Sequence, residues 1–305
     1  MLHVRLASPP DLTPRVTGLL TGDPGVTNLV VLPGASREPA GDAVQFDLST
    51  AAANPVLRDL RALGGIAPVC MELVDATIGA PGFDRPRRGS YHGETAPVWP
   101  LVESKIAAES VYPPSFFALL ALAAMIGAVG ILTNSTILIV GAMVVGPEYN
   151  AILAVAHGLE RRDLTAVRRG LLALAAGFAI AIVVTLLFSL IIRASGNVPK
   201  AYELGVRPAS SFIASPDMFS VIVAVLAGII GVVSLTEARG GALIGVFISV
   251  TTIPAAADIG LSLAFGDWHD TSGAVFQLLL NVFLLTVVGL LALHAQRAFW
   301  RDRGS

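Results

Sequence analysis

Glu148 follows Gly146 and Pro147 in the middle of an apolar run, NSTILIVGAMVVGPEYNAILAVAHGL, that occupies residues 134–159. A carboxylate in such a place can bind a cation when ionised, or carry a proton as one station of a relay. A spanning helix needs roughly 20 apolar residues, and in hydrocarbon every backbone N–H and C=O must find a partner in the protein. Pro147 removes one donor and clashes with the carbonyl four residues earlier, while Gly146 lets the chain bend. The run is therefore expected to break near mid-membrane. An ionised Glu148 facing lipid at that depth would cost several kcal/mol, so its side chain should face protein, water or a cation. The competing reading is a plain proline kink whose acid is satisfied by a neighbour.

A second interruption, Thr251-Thr252-Ile253-Pro254, is followed by Asp258 about one turn later. Together with Glu148 and Asn150, the residues Thr251, Thr252, Asp258 and Asn281 form the candidate ion or ligand site, with Gly146, Pro147 and Pro254 as the helix breaks. Carboxylates, hydroxyls, amides and carbonyls freed by the prolines make the oxygen-rich lining that hard cations require. Asn281 is expected in one layer with Asp258, within hydrogen-bonding reach. For Thr251, Thr252, Gln277 and Asn281 the other reading is hydrogen bonding between helices, worth under about 2 kcal/mol each. His157 and His294 stand near helix ends, where capping or snorkelling accounts for them without a metal.

Six apolar runs must position these residues, at 114–132, 136–159, 170–192, 218–235, 240–265 and 275–296. Arg85, Arg87, Arg88 and Lys105 precede the first run; Arg161, Arg162, Arg168 and Arg169 follow the second; Arg239 follows the fourth; and Arg297, Arg301 and Arg303 follow the sixth. The other side carries Arg193, Lys200 and Arg207 in one long loop. This bias places both termini in the cytoplasm. Gly127-Ala-Val-Gly130-Ile-Leu-Thr133 resembles Gly228-Ile-Ile-Gly231-Val-Val-Ser234, and each precedes a proline-broken run. Three spans is an odd number, so a second copy would cross in the opposite sense. The expectation is two inverted three-helix repeats, 114–192 and 218–296, whose broken helices meet near the midplane. The paired glycines are expected to allow close helix packing.

The chain has 305 residues, of which 54% are hydrophobic and 14% charged, with a mean hydropathy of +0.73. That apolar excess needs a lipid bilayer to cover it. A net charge of −2 without a basic surface excludes nucleic acid as a partner. The single cysteine, Cys70, allows no internal disulfide or Cys-rich metal site and is expected in a core. The first residues lack the basic start and apolar stretch of a cleavable signal, so the first span should direct insertion.

Residues 1–78 are near-ordinary in composition and read as a separate domain. Strands are expected at 2–6, 28–32, 43–48 and 69–78, with helices from an Asp11 cap to Gly22 and from an Asn54 cap, with Pro55 in its first turn, to Leu63. The order β-α-β-β-α-β is that of a ferredoxin-like α+β unit. Small regulatory domains of the ACT type look like this, with a turn such as Gly25-Val26. His3, Asp42, Asp47 and Asp75 show no catalytic spacing and read as solvated. Residues 79–110 form a linker and an interfacial helix, with Trp99, Leu101, Val102 and Ile106 on its apolar face.

With ILTNSTILIV before it and HGLERRD after it, GAMVVGPEY resembles the signature of the bacterial membrane family catalogued as domain of unknown function 389. PPDLTPRV and DPGVTNLVVLPGA extend the likeness into the first domain. The resemblance implies an α-helical membrane protein with an amino-terminal cytoplasmic domain in the bacterial inner membrane, and it implies no activity. The family pattern has Gly-Pro where this chain has Asn150-Ala151, which leaves the break to Pro147. No nucleophile–base pair, metal cluster or phosphate loop appears, so neither an enzyme nor a cofactor is expected. The leading reading is a secondary transporter or ion-conducting protein for a small ion or solute, with Glu148 and Asp258 as pseudo-symmetric acids. The first domain would sense a ligand or dimerise the chain, since a homodimer is the commonest assembly. The alternative is a membrane-embedded sensor or scaffold without transport.

Overall fold

The computed structural model describes residues 1–65, 69–74, 97–215, 217–236 and 251–302, in two compact units, 1–104 and 105–305. In the first unit, Leu2, Val4 and Leu6 alternate with outward residues along strand β1 (Leu2–Ser8), as a half-buried strand requires. Helix α1 (Thr13–Thr21), β2 (Val26–Arg37), β3 (Ala40–Leu48), helix α2 (Thr50–Leu63) and β4 (Cys70–Leu73) follow. The sheet runs β2-β3-β1-β4 with antiparallel neighbours. Its core joins Leu2, Val4, Phe46 and Leu48 to Val16, Leu20, Val56 and Leu60 from the helices.

Several boundaries differ from the expected ones. Helix α1 starts after Leu12 rather than at an Asp11 cap, because Pro9 O accepts from both Leu12 and Thr13 N–H and holds Asp11 in the turn. Helix α2 starts at Thr50, where the Ser49 side chain accepts from Ala52 N–H, and Pro55 lies inside it. Three alanines, strong helix formers, carry the helix back past Asn54 to that cap. Asn54 instead bonds outside its own helix, where Nδ2 donates to Pro97 O at 3.0 Å and Oδ1 accepts from Trp99 N–H at 3.1 Å. It thereby pins the start of helix α3 (Trp99–Glu109), whose Leu101, with Val98 before it, packs on the first unit's core.

Strand β2 runs five residues past the expected end, because the ladder with β3 reaches Arg37↔Ala40 after the apolar pattern has stopped. Cys70 is exposed, not in a core, because period-two alternation on β4 turns Met71 inward. His3 and Asp47 are not separately solvated: they sit opposite each other on β1 and β3, with Nδ1 2.8 Å from Oδ1. Asp42 is buried and accepts from Gly34 N–H at 2.8 Å. Asp75, most of the linker and the last residues of the expected fourth strand lie outside the described residues.

The second unit is helical: α4 (Pro114–Leu132), α5 (Thr136–Val145), α6 (Glu148–Arg161), α7 (Leu164–Ala194), α8 (Lys200–Glu203), α9 (Pro208–Ile213), α10 (Met218–Thr236), α11 (Thr252–Phe265) and α12 (Trp268–Asp302). Among the described residues α4, α7, α10 and most of α12 are each long and apolar enough to cross a membrane. The pair α5 and α6, bent by 48°, makes a fifth span if counted as one. Helix α11 is apolar but shorter, and the beginning of the expected fifth span lies outside the described residues. This is the composition of a multi-pass membrane protein.

Helix α12 begins seven residues before the expected sixth span, because Asp267 Oδ1 accepts from Asp270 N–H and lets the helix start in polar sequence. Small residues set the helix spacing. A Cβ on Gly127 would lie 3.0 Å from Ala257 Cβ, and one on Gly228 would lie 2.8 Å from Val288 Cγ1. At Gly231 a Cβ would overlap the Tyr149 hydroxyl, so α10 admits the ring from α6 only because residue 231 has no side chain.

Candidate functional site

The break expected at Gly146-Pro147 is present. Gly146 caps the C-terminus of α5, Pro147 the N-terminus of α6, and Glu148 opens α6. Thr251 caps α11 and Thr252 opens it, with Pro254 in the first turn, where its missing N–H costs nothing. The two helix starts meet: Thr252 Oγ1 donates to Glu148 Oε1 at 2.7 Å, first helical residue to first helical residue. Both half-helices have 14 residues.

Each such N-terminus carries roughly +0.5 of an elementary charge, so two of them offset about one carboxylate. Glu148 is 5% exposed, and its Oε2 receives no hydrogen bond among the described residues. The carboxylate curls back over the break, so that a Cβ on Gly146 would strike Oε2 and lie 2.7 Å from Ile253 Cγ1. Glycine at 146 is what admits the acid.

Thr251 holds the neighbouring layer. Its Oγ1 accepts from Gln277 Nε2 at 2.9 Å and from Asn281 Nδ2 at 2.8 Å, which ties α12 to the cap of α11. Asn281 thus pairs with Thr251 and not with Asp258 as expected, because Thr251 lies level with its turn of α12. Asn150 is half-buried in the first turn of α6.

Asp258 is fully buried but lies six residues beyond Thr252, about 9 Å along the helix, so the structure brings Thr252 and not Asp258 to Glu148. Asp258 Oδ1 accepts from Ser210 Oγ at 2.8 Å and from Ser262 Oγ at 3.2 Å. Ser210 is not singled out by its sequence context because it lies outside every apolar run, in the short helix α9. That helix lies over the start of α12, where a Cβ on Gly273 would strike Ala214 O. Beside it, Arg207 Nη1 donates to Asp267 Oδ2 at 2.8 Å, and its guanidinium stacks 4.3 Å from the Tyr202 ring centroid. A cavity of about 570 Å³ opens there, lined by Arg207, Ser211, Asp267 and Asp270 among others.

At the far end of α6, Glu160 Oε1 lies 2.8 Å from Arg297 Nε and Oε2 lies 3.4 Å from His157 Nδ1. His157 therefore stands beside the Glu160–Arg297 ion pair that joins α6 to α12. Among the described residues no group of three or more His, Cys, Asp or Glu is arranged to hold a metal.

Residues 143–287 match the family described as Domain of unknown function (DUF389), the family that the GAMVVGPEY motif resembles. The match begins inside that motif and runs into α12; the amino-terminal likenesses lie outside it. No curated protein and no solved structure is similar enough to match the chain.

Proposed function

We propose that this chain, whose residues 143–287 match the DUF389 family, is a secondary transporter or ion-conducting protein with its centre at Glu148. The observation that carries this reading is the contact of the two half-helices at Glu148 and Thr252. A buried acid with one oxygen left without a hydrogen bond among the described residues, set where two helix starts offset its charge, can take up and release a proton or a small cation. A kinked helix with a satisfied acid needs neither a second helix start at the acid nor an oxygen left without a hydrogen bond among the described residues. Glu148 is assigned as the acid that contacts the transported ion, Thr252 as its donor, and Thr251, Asn150 and Asn281 as the surrounding polar layer. Asp258 belongs to a second layer on the same helix as Thr252.

The wider architecture proposed is six spans in two inverted three-helix repeats, in the inner membrane of a bacterium, with both termini cytoplasmic. The equal half-helices and the Lys/Arg bias support it. The first unit is assigned as a ferredoxin-like cytoplasmic domain that binds a regulatory ligand or dimerises the chain; the sheet order β2-β3-β1-β4 supports that assignment.

Proton and cation flux into liposomes, compared between the wild type and Glu148→Gln, tests the proposal. Flux in the wild type that falls at least about tenfold in the variant, a loss of about 1.4 kcal/mol or more, is the expected result. No flux in either folded protein would sink transport and leave the sensor or scaffold reading. Equal flux in both would remove Glu148 from the centre.

A further inference from the structure

Ser210 Oγ lies 2.8 Å from Asp258 Oδ1 and 3.1 Å from Asp270 Oδ2. A hydroxyl has one proton to donate and lone pairs to accept. Between two ionised carboxylates it can satisfy only one, and its lone pair would face the other anion. Both contacts are hydrogen bonds only when one carboxyl carries a proton: Asp270 O–H donates to Ser210 and Ser210 donates to Asp258, or the reverse.

The two acids differ in access. Asp270 lines the cavity and its side chain is 14% exposed, whereas Asp258 is fully buried, with Oδ2 unpartnered among the described residues. We propose that Asp270, Ser210 and Asp258 form a proton-entry relay that carries one proton from this cavity into the helical bundle.

The step balances. The Asp270 O–H bond breaks as its proton passes to Ser210 Oγ, while the original Ser210 proton forms a new O–H bond at Asp258 Oδ1. Ser210 stays neutral throughout, and rotation of its hydroxyl resets the chain. The charged and titratable groups around the relay fit this role. Helix α7 contributes Arg193, which donates to Ala264 O at 2.6 Å. The connection through α8 and α9 contributes Tyr202 and Arg207, the latter paired with Asp267. Helix α12 contributes Asp270 itself and His269, whose Nδ1 lies 3.5 Å from Asp270 Oδ1. Helices α4 and α5 contribute none. The relay ends about 9 Å along α11 from the Thr252–Glu148 contact. Only its direction of use rests on the transport reading; the shared proton does not.

The test is time-resolved infrared spectroscopy of the full chain in lipid nanodiscs after a jump from alkaline to neutral pH, following the C=O stretch of protonated carboxyls. The expected result is a rising carboxyl signal in which one band is lost in Asp258→Asn. Its rise should slow at least about tenfold in Ser210→Ala, the factor set by about 1.4 kcal/mol, and recover in Ser210→Thr, which keeps the hydroxyl. A band unchanged in Asp258→Asn would overturn the proposal, as would an equal rate in Ser210→Ala. Suppression of the band by sodium at constant pH would also overturn it, by placing a metal cation where the proton is assigned. A wild-type band with no flux in liposomes would sink transport and leave the relay standing.

Discussion

Thr252 reaches Glu148 across 2.7 Å, and a buried acceptor that loses its donor bears its desolvation cost. Thr252→Val keeps the shape and removes the hydroxyl, so it should lower stability by about 1–3 kcal/mol, whereas Thr252→Ser should stay within about 1 kcal/mol. Equilibrium unfolding in mixed micelles measures both; no loss in Thr252→Val would show that the hydrogen bond to Glu148 does not stabilise the fold. Glu148 was legible in the sequence because an acid in an apolar run has few explanations. The partner of each polar residue was not. Thr251 and Thr252 are neighbours that serve different elements, and Asp258 finds Ser210 across 48 residues of chain. Such pairings depend on helix rotation and depth, which spacing along one run does not fix.

The break between α5 and α6 was legible because proline and glycine act on their own backbone. The start of α2 was not, because three alanines extend the helix back to Ser49 and override the Asn54-Pro55 signal. The packing of α6 on α10 turns on Gly231, whose missing side chain leaves room for the Tyr149 hydroxyl. Gly231→Ala should destabilise the membrane unit by about 1–3 kcal/mol by overpacking, and Tyr149→Phe in the same chain should recover part of that loss. Thermal unfolding in detergent reads both; no loss in Gly231→Ala would show that the two helices separate freely.

In the first unit the hairpin of β2 and β3 is held by Asp42. The Gly34 N–H, then the Thr13 hydroxyl, keep its carboxyl below the usual 3.8. Its contribution is therefore complete above about pH 4 and is lost as pH falls through the lowered value. Asp42→Asn should flatten the acid limb of this unit's stability curve, followed by the circular dichroism of residues 1–104; an unchanged limb would remove Asp42 as its cause.

At the scale of the whole molecule, the multi-pass character was legible from run length, and the bias of Lys and Arg proposes which side each terminus takes. Cys70 checks that proposal without an engineered label, since it is the chain's single cysteine and it is exposed. A membrane-impermeant maleimide should label it in inside-out vesicles and leave it untouched in right-side-out ones; the opposite pattern would invert the topology. The length of α12 was hidden because Asp267, which starts it, lies in polar sequence before the apolar run. The head-to-head start of α6 and α11 has an electrical consequence. In the proposed orientation the two half-helices run from the midplane toward opposite faces, so their dipoles largely cancel along the membrane normal. The membrane voltage then finds little to pull on in the helix pair and acts on the carboxylate between them, and on whatever ion it holds.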